Sequence, residues 1–96
     1  MSRRRWEVVW TSPARDALLE IVRTMSFLHR VETTVSRLGA FPLSGRILPE
    51  YPSSGLREVL VGDYRAIYRL VQARRRVEIL SFLHGARDLR RIKARP

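Results

Sequence analysis

The strongest pattern of hydrophobic and polar positions lies between residues 57 and 84. Runs at 57–61, 64–71 and 77–84 are filled with β-branched and aromatic residues, which fit a pleated, half-buried surface. Gly62-Asp63 between the first two runs predicts a two-residue hairpin, with glycine supplying a positive φ. A second turn around Gln72 to Arg76, centred on Arg74-Arg75, joins the last two. Counting outward from these turns sets Leu60 opposite Arg65, Arg65 opposite His84 and Ile67 opposite Phe82. Side-chain alternation then sorts the residues. One face holds Val59, Val61, Tyr64, Ala66, Tyr68, Leu70, Val77, Ile79 and Leu83. The other holds Glu58, Leu60, Arg65, Ile67, Arg69, Glu78, Leu80, Phe82 and His84. The first face is apolar enough to be covered by helices. The second mixes Arg, Glu and His with apolar positions, as a partly solvated hollow would.

Upstream, the period changes. Trp6–Trp10 reads as a short strand with Trp6, Val8 and Trp10 on one face. Ser12-Pro13 then opens a helix, since Ser caps well and Pro is tolerated at the first helical position. Ala14, Ala17, Leu18, Ile21, Val22 and Met25 form its apolar stripe, and Leu28, Val31, Val35 and Leu38 form a second one that stops at Gly39. Thr24 to Phe27 contains neither Gly nor Pro. Compactness nevertheless requires a break there, because an unbroken helix of about 26 residues would reach roughly 39 Å. Residues 40–55 are punctuated by Pro and Gly and read as a surface loop. Phe41 and Leu43 are expected to pin it to the core, and Arg46 and Glu50 to reach over the sheet.

The predicted order is β-α-α-β-β-β. This is an α+β fold: an N-terminal strand, a helical hairpin and a three-stranded antiparallel meander, with the helices on one face of the sheet. The 96 residues form a single domain with a basic tail at 86–96.

Charge adds a second layer. The net charge is +10, from 19 basic and 9 acidic residues. Arg3–Arg5, Arg74–Arg76 and the segment from Gly85 onward hold 11 of the former and 1 of the latter, leaving eight of each elsewhere. The excess is thus terminal and turn charge on a neutral scaffold. It suits a polyanion, either nucleic acid or an acidic protein segment, and equally a pair of solubilising ends. There is no cysteine, hence no disulfide and no thiolate site. No apolar run approaches the roughly 20 residues that span a bilayer. No apolar stretch follows the N-terminal arginines, so no secretory signal is read and a cytoplasmic location is expected.

The chemistry-bearing residues are few. Dispersed glycines exclude a phosphate loop. His29 and His84 lack ligand spacing, so neither a metal nor any other cofactor is expected. What remains is Arg65, His84 and Arg87, with Arg57, Glu58 and Arg69 nearby. Guanidinium groups bind phosphate bidentately and stabilise developing charge, and histidine carries a proton near neutral pH. Together they suit metal-free RNA cleavage by the substrate's own 2′-hydroxyl. The structural alternative pairs Arg65 and Arg87 with Glu58 or Asp88 and leaves His84 as a strand-end residue.

Gly55-Leu56-Arg57-Glu58, Gly62-Asp63-Tyr64-Arg65-Ala66-Ile67-Tyr68 and His84-Gly85-Ala86-Arg87-Asp88-Leu89 resemble the RelE/ParE toxin superfamily. The resemblance extends to Ser12-Pro13-Ala14 and to Leu38-Gly39-Ala40-Phe41-Pro42 with Gly45-Arg46. It implies the fold derived above and a small basic toxin of a bacterial type II toxin–antitoxin module. It implies a cognate acidic antitoxin as partner, with operator DNA bound only through the toxin–antitoxin complex. RelE-like members cut mRNA on the ribosome; ParE-like members poison DNA gyrase. By resemblance, Arg65 and Arg87 fall on the phosphate-contacting arginines of the nucleases, with His84 as proton carrier. Leu56, Glu58 and Leu60 stand where such nucleases often place lysines, and no tyrosine follows Arg87, so the ParE-like class is favoured. Arg57, Glu58, Arg69, Arg90 and Arg91 are then the expected binding residues.

Overall fold

The computed structural model describes residues 4–87. Its elements are β1 (Glu7–Trp10), α1 (Ser12–Ile21), α2 (Met25–Ser36), β2 (Arg46–Ile47), β3 (Arg57–Val61), β4 (Tyr64–Val71) and β5 (Arg76–His84). They form the expected α+β arrangement. The sheet has five strands in the order β1-β5-β4-β3-β2. β1 runs parallel to β5, and the other pairings are antiparallel. Among the described residues, no helix is long and apolar enough to cross a membrane, and no cluster of three or more potential ligands could hold a metal ion.

Both helices lie on one face of the sheet. Ala14 and Leu18 of α1, and Val31 and Val35 of α2, join Val61, Ala66, Tyr68, Val77, Ile79 and Phe82 in the main core. α1 ends without glycine or proline because side chains satisfy the exposed backbone groups. The Arg23 guanidinium donates to the Glu20 and Val22 carbonyls, and Thr24 Oγ1 accepts from the Phe27 amide at 3.1 Å. Thr24 is therefore the cap of α2, a local stop signal that the search for Gly and Pro overlooks. The break also ends the first apolar stripe early, and Met25 is 77 % exposed. Ser12 is not the cap of α1. The preceding Thr11 stands at that position, and its hydroxyl donates to the Ile79 carbonyl of β5, tying the helix start to the sheet.

The β3–β4 register is the expected one, with Leu60 opposite Arg65 across a turn in which Gly62 has φ 58°. The β4–β5 register is not. The turn is centred one residue earlier than expected, with Val71 opposite Arg76. That change keeps side-chain parity, so Val77 and Ile79 still face the helices. A bulge then leaves Leu80 unpaired between Ile79 and Ser81, and one extra residue reverses the facing of everything beyond it. Phe82 and His84 thus turn to the helix side, and Leu83 turns to the opposite side. Arg65 pairs with Leu83, and His84 with Tyr64.

The second face is not an open hollow. The 40–55 loop crosses it, and Leu48 packs there against Ile67 and Leu83, with Leu56 beside them. Burying Leu48 contributes about 1.5–3 kcal/mol to holding the loop. Phe41 and Leu43, the expected anchors, are each 63 % exposed. A second tether is Tyr68, whose hydroxyl donates to the Pro42 carbonyl at 2.8 Å and accepts from the Gly45 amide at 2.9 Å.

Burial of the Tyr68 phenol, above all, raises its pKa from the ordinary 10.0, because desolvation penalises the phenolate. Below that value the tether contributes in full. As pH rises past it the unfolded phenol ionises first, the unfolded state binds fewer protons, and stability falls until the folded phenol ionises too. Tyr68→Phe is expected to cost about 1–3 kcal/mol at neutral pH and to flatten the alkaline decline. Urea unfolding at about pH 7 and pH 10.5 checks both, and an unchanged alkaline slope in the variant would refute the assignment.

Candidate functional site

Arg65 sits near the hairpin end of β4, on the face away from the helices. Glu58 lies on the neighbouring strand and Glu50 descends from the loop. Arg65 Nη1 donates to Glu50 Oε1 and to Glu58 Oε1, each at 2.9 Å. Its Nη2 donates to Glu50 Oε2 and to the Arg87 carbonyl. Glu58 also accepts from Arg46 Nε. The result is a buried network of two arginines and two carboxylates. The Arg65 and Glu58 side chains are 3 % and 0 % exposed, whereas that of Arg46 is 64 % exposed. The hydrogen bond to Glu50, foremost, raises the Arg65 pKa, while burial opposes it. The guanidinium is permanently charged and faces two carboxylates, while its buried Nε has no hydrogen-bond partner among the described residues.

Beside this network is a cleft of about 260 Å³ lined by Arg46, Pro49, Glu50, Arg65, Gly85 and Ala86, together with Arg87. Arg65 and Arg87 therefore share one place in the fold, and the Arg65 guanidinium is not under the helices. Within that cleft Glu50 already stands on Arg65. The expected neighbour His84 is not part of it. The Leu80 bulge carries His84 to the helix side, where its ring meets Tyr64 edge-on at 5.4 Å between centroids. Its Nδ1 accepts from the Ala86 amide at 3.1 Å, within the chain reversal after β5.

The expected binding residues separate. Arg57 donates to the Leu43 and Gly45 carbonyls and so serves the loop. Glu58 is buried in the network. Arg69 is paired with Glu78 at 2.9 Å, four residues along β4 from Arg65 and so roughly 13 Å away. Arg90 and Arg91 lie outside the described residues. Glu50 is the participant that spacing did not assign to the site. The available signal was position: a carboxylate on a loop expected to cross an arginine-bearing face.

Chemically, the arrangement holds a loop against a sheet by ion pairs and leaves a polar cleft beside Arg87. A phosphate reaching Arg65 would have to replace the Glu50 carboxylate and lie beside Glu58, an anion next to an anion.

Comparison with known proteins bears on this geometry. A search of curated proteins finds no match. Among solved structures, the chain is similar to one from the toxin–antitoxin complex RelBE2 of Mycobacterium tuberculosis, at 26 % identity and TM-score 0.70, covering 90 % of this chain and 98 % of that one. It shares its fold with a chain of the archaeal RelE–RelB complex from Pyrococcus horikoshii, at 18 % identity and TM-score 0.64, covering 86 % and 98 %. It also shares it with a mutant E. coli toxin RelE in the free state, at 10 % identity and TM-score 0.67, covering 93 % and 99 %. Residues 8–89, almost the whole chain, match the family described as the ParE toxin of the type II toxin–antitoxin system parDE. The protein belongs to that ParE toxin family.

Proposed function

We propose that this toxin arrests growth by binding DNA gyrase, with no bond-breaking chemistry of its own, and that a cognate acidic antitoxin neutralises it. The observation that carries this reading is the pairing of Arg65 with Glu50 and Glu58. A nuclease of the RelE type would need that guanidinium turned toward a scissile phosphate. Here it is buried and neutralised. The candidate proton carrier His84 lies on the other side of the sheet. The match of residues 8–89 to the ParE family supports the same class. An antitoxin partner is supported by the RelBE2 and RelE–RelB complexes among the similar structures. An acidic antitoxin segment lying along the sheet and helices would also meet the basic ends, and its affinity would fall with salt.

Expression of the toxin alone is expected to stop growth. Purified toxin is expected to inhibit gyrase supercoiling, and translating ribosomes given the same toxin are expected to leave message intact. Unaffected gyrase at saturating toxin, with cuts in the ribosomal A site that vanish in Arg87→Ala or His84→Ala, would establish the ribonuclease instead. Normal growth without antitoxin would point to a member that only binds its antitoxin.

A further inference from the structure

Two arginine clusters far apart in sequence meet in the fold. Strand β1 lies parallel beside β5, which places the N-terminal residues against the β4–β5 turn. The Glu7 amide donates to the Arg75 carbonyl at 2.9 Å, and the Trp6 amide to the Gly39 carbonyl at 2.8 Å. Arg75 Nη2 donates to the Arg4 carbonyl at 2.8 Å, and Arg5 Nη2 to the Ser36 carbonyl at 3.0 Å. Arg4, Arg5, Arg37, Arg74, Arg75 and Arg76 therefore crowd one edge of the molecule. All but Arg76 are exposed. The carboxylates paired there are Glu7 and Glu78, both on Arg76, and Glu78 is shared with Arg69. Among the described residues, the side chains of Arg4, Arg37 and Arg74 have no hydrogen-bond or ion-pair partner.

Arg4, Arg37 and Arg74, gathered without counter-ions, repel their neighbours and make no side-chain bond that serves the fold. Arg75 adds to the case. It occupies the left-handed region at φ 49°, where glycine or asparagine would sit at less cost. Its side chain is held by the Arg4 carbonyl and the Trp6 ring, which fixes one guanidinium at this edge.

We propose that this edge grips the phosphate backbone of a nucleic-acid duplex, directly and without an antitoxin. The basic residues are all arginine, whose planar fork suits phosphate oxygens. A single strand is disfavoured because its bases need aromatic platforms. The aromatic ring at this edge, Trp6, is already covered by Arg75 at 5.6 Å. The proposal does not depend on gyrase being the target, and its test contains neither gyrase nor ribosome.

The test is fluorescence polarisation of the full chain with a labelled duplex DNA of about 20 base pairs. Five phosphate contacts, one for each exposed arginine and none for the paired Arg76, predict a log–log salt slope of about −4.5, a loss of about 500-fold in affinity between 50 and 200 mM salt. Arg4→Gln/Arg37→Gln/Arg74→Gln should make that slope shallower by about 3. Arg15→Gln/Arg23→Gln/Arg30→Gln removes the same charge from the helix side and should leave the slope as it is. Equal loss in both triple variants would mean net charge alone and would overturn the proposal. So would tighter binding of a single strand of the same length, or equal binding of polyglutamate lost in the first variant, which would make the edge a site for single-stranded nucleic acid or for an acidic protein.

Discussion

Arg65→Ala is expected to lower stability by about 3–5 kcal/mol, the usual cost of removing one partner from a buried ion pair. Buried Glu58 would then keep the bond from Arg46, whose side chain is largely in solvent, and buried Glu50 would lose the bonds it accepts from Arg65. For a domain of this size the loss corresponds to a fall in melting temperature of roughly 12–30 °C. Domains typically hold only 5–15 kcal/mol in all, so the variant sits near the limit of folding. Adding Glu50→Met and Glu58→Met to Arg65→Met should recover most of the loss, because apolar side chains of similar volume demand neither a countercharge nor a hydrogen bond. Urea unfolding of the single and triple variants decides the matter. An Arg65→Ala protein as stable as the parent would mean that the network is solvated and not the lock described here. The result also governs functional mutagenesis: loss of toxicity in Arg65→Ala alone cannot be read as loss of a catalytic group.

Gly45→Ala is the second large effect. A Cβ at residue 45 would lie 2.5 Å from the Tyr68 hydroxyl, 2.6 Å from the Glu58 carbonyl and 2.7 Å from Tyr68 Cε1. None of these can give way cheaply. Tyr68 is completely buried, and the Glu58 carbonyl belongs to the backbone of β3. Overpacking of this kind costs about 1–3 kcal/mol and at times more. The strain falls where the loop is attached, since the Gly45 amide and carbonyl bind Tyr68 and Arg57. The loop is therefore expected to lift, exposing Leu48 and freeing Glu50 from Arg65, before the helices and central strands melt. Faster amide exchange and proteolytic cutting within residues 40–55, with the rest of the domain protected, would show it. Protection of the loop at the parent's level would sink this account.

Much of the cleft between Arg65 and Arg87 is legible in the residues. The helix-covered face, the loop that crosses the sheet and the meeting of Arg65 with the end of β5 all follow from alternation and turn chemistry. The pairing of Arg65 with Glu58 follows too, as the structural alternative had it; Glu50 as its second carboxylate does not, because it is 15 residues away along an irregular loop. No periodicity governs such a segment. The same irregularity hides Leu48 as the loop's anchor, while the chemically identical Leu43 and the aromatic Phe41 stay in solvent.

Taken alone, the chain determines β1, both helices and β3 to β5, because strand alternation, helical stripes and capping residues act over a few positions, whereas the two-residue β2 exists only by pairing with β3. It also determines the β3–β4 register, since a two-residue Gly-Asp turn leaves no latitude. Only the tertiary structure decides the facing of Phe82, Leu83 and His84, because a bulge at Leu80 carries no glycine or proline to announce it. Only the tertiary structure brings Arg4 and Arg5 to Arg74 and Arg75, because a parallel pairing across some 70 residues is set by the packing of the helices between them. Local forces write the elements. Contacts between residues distant in sequence choose which charges become neighbours.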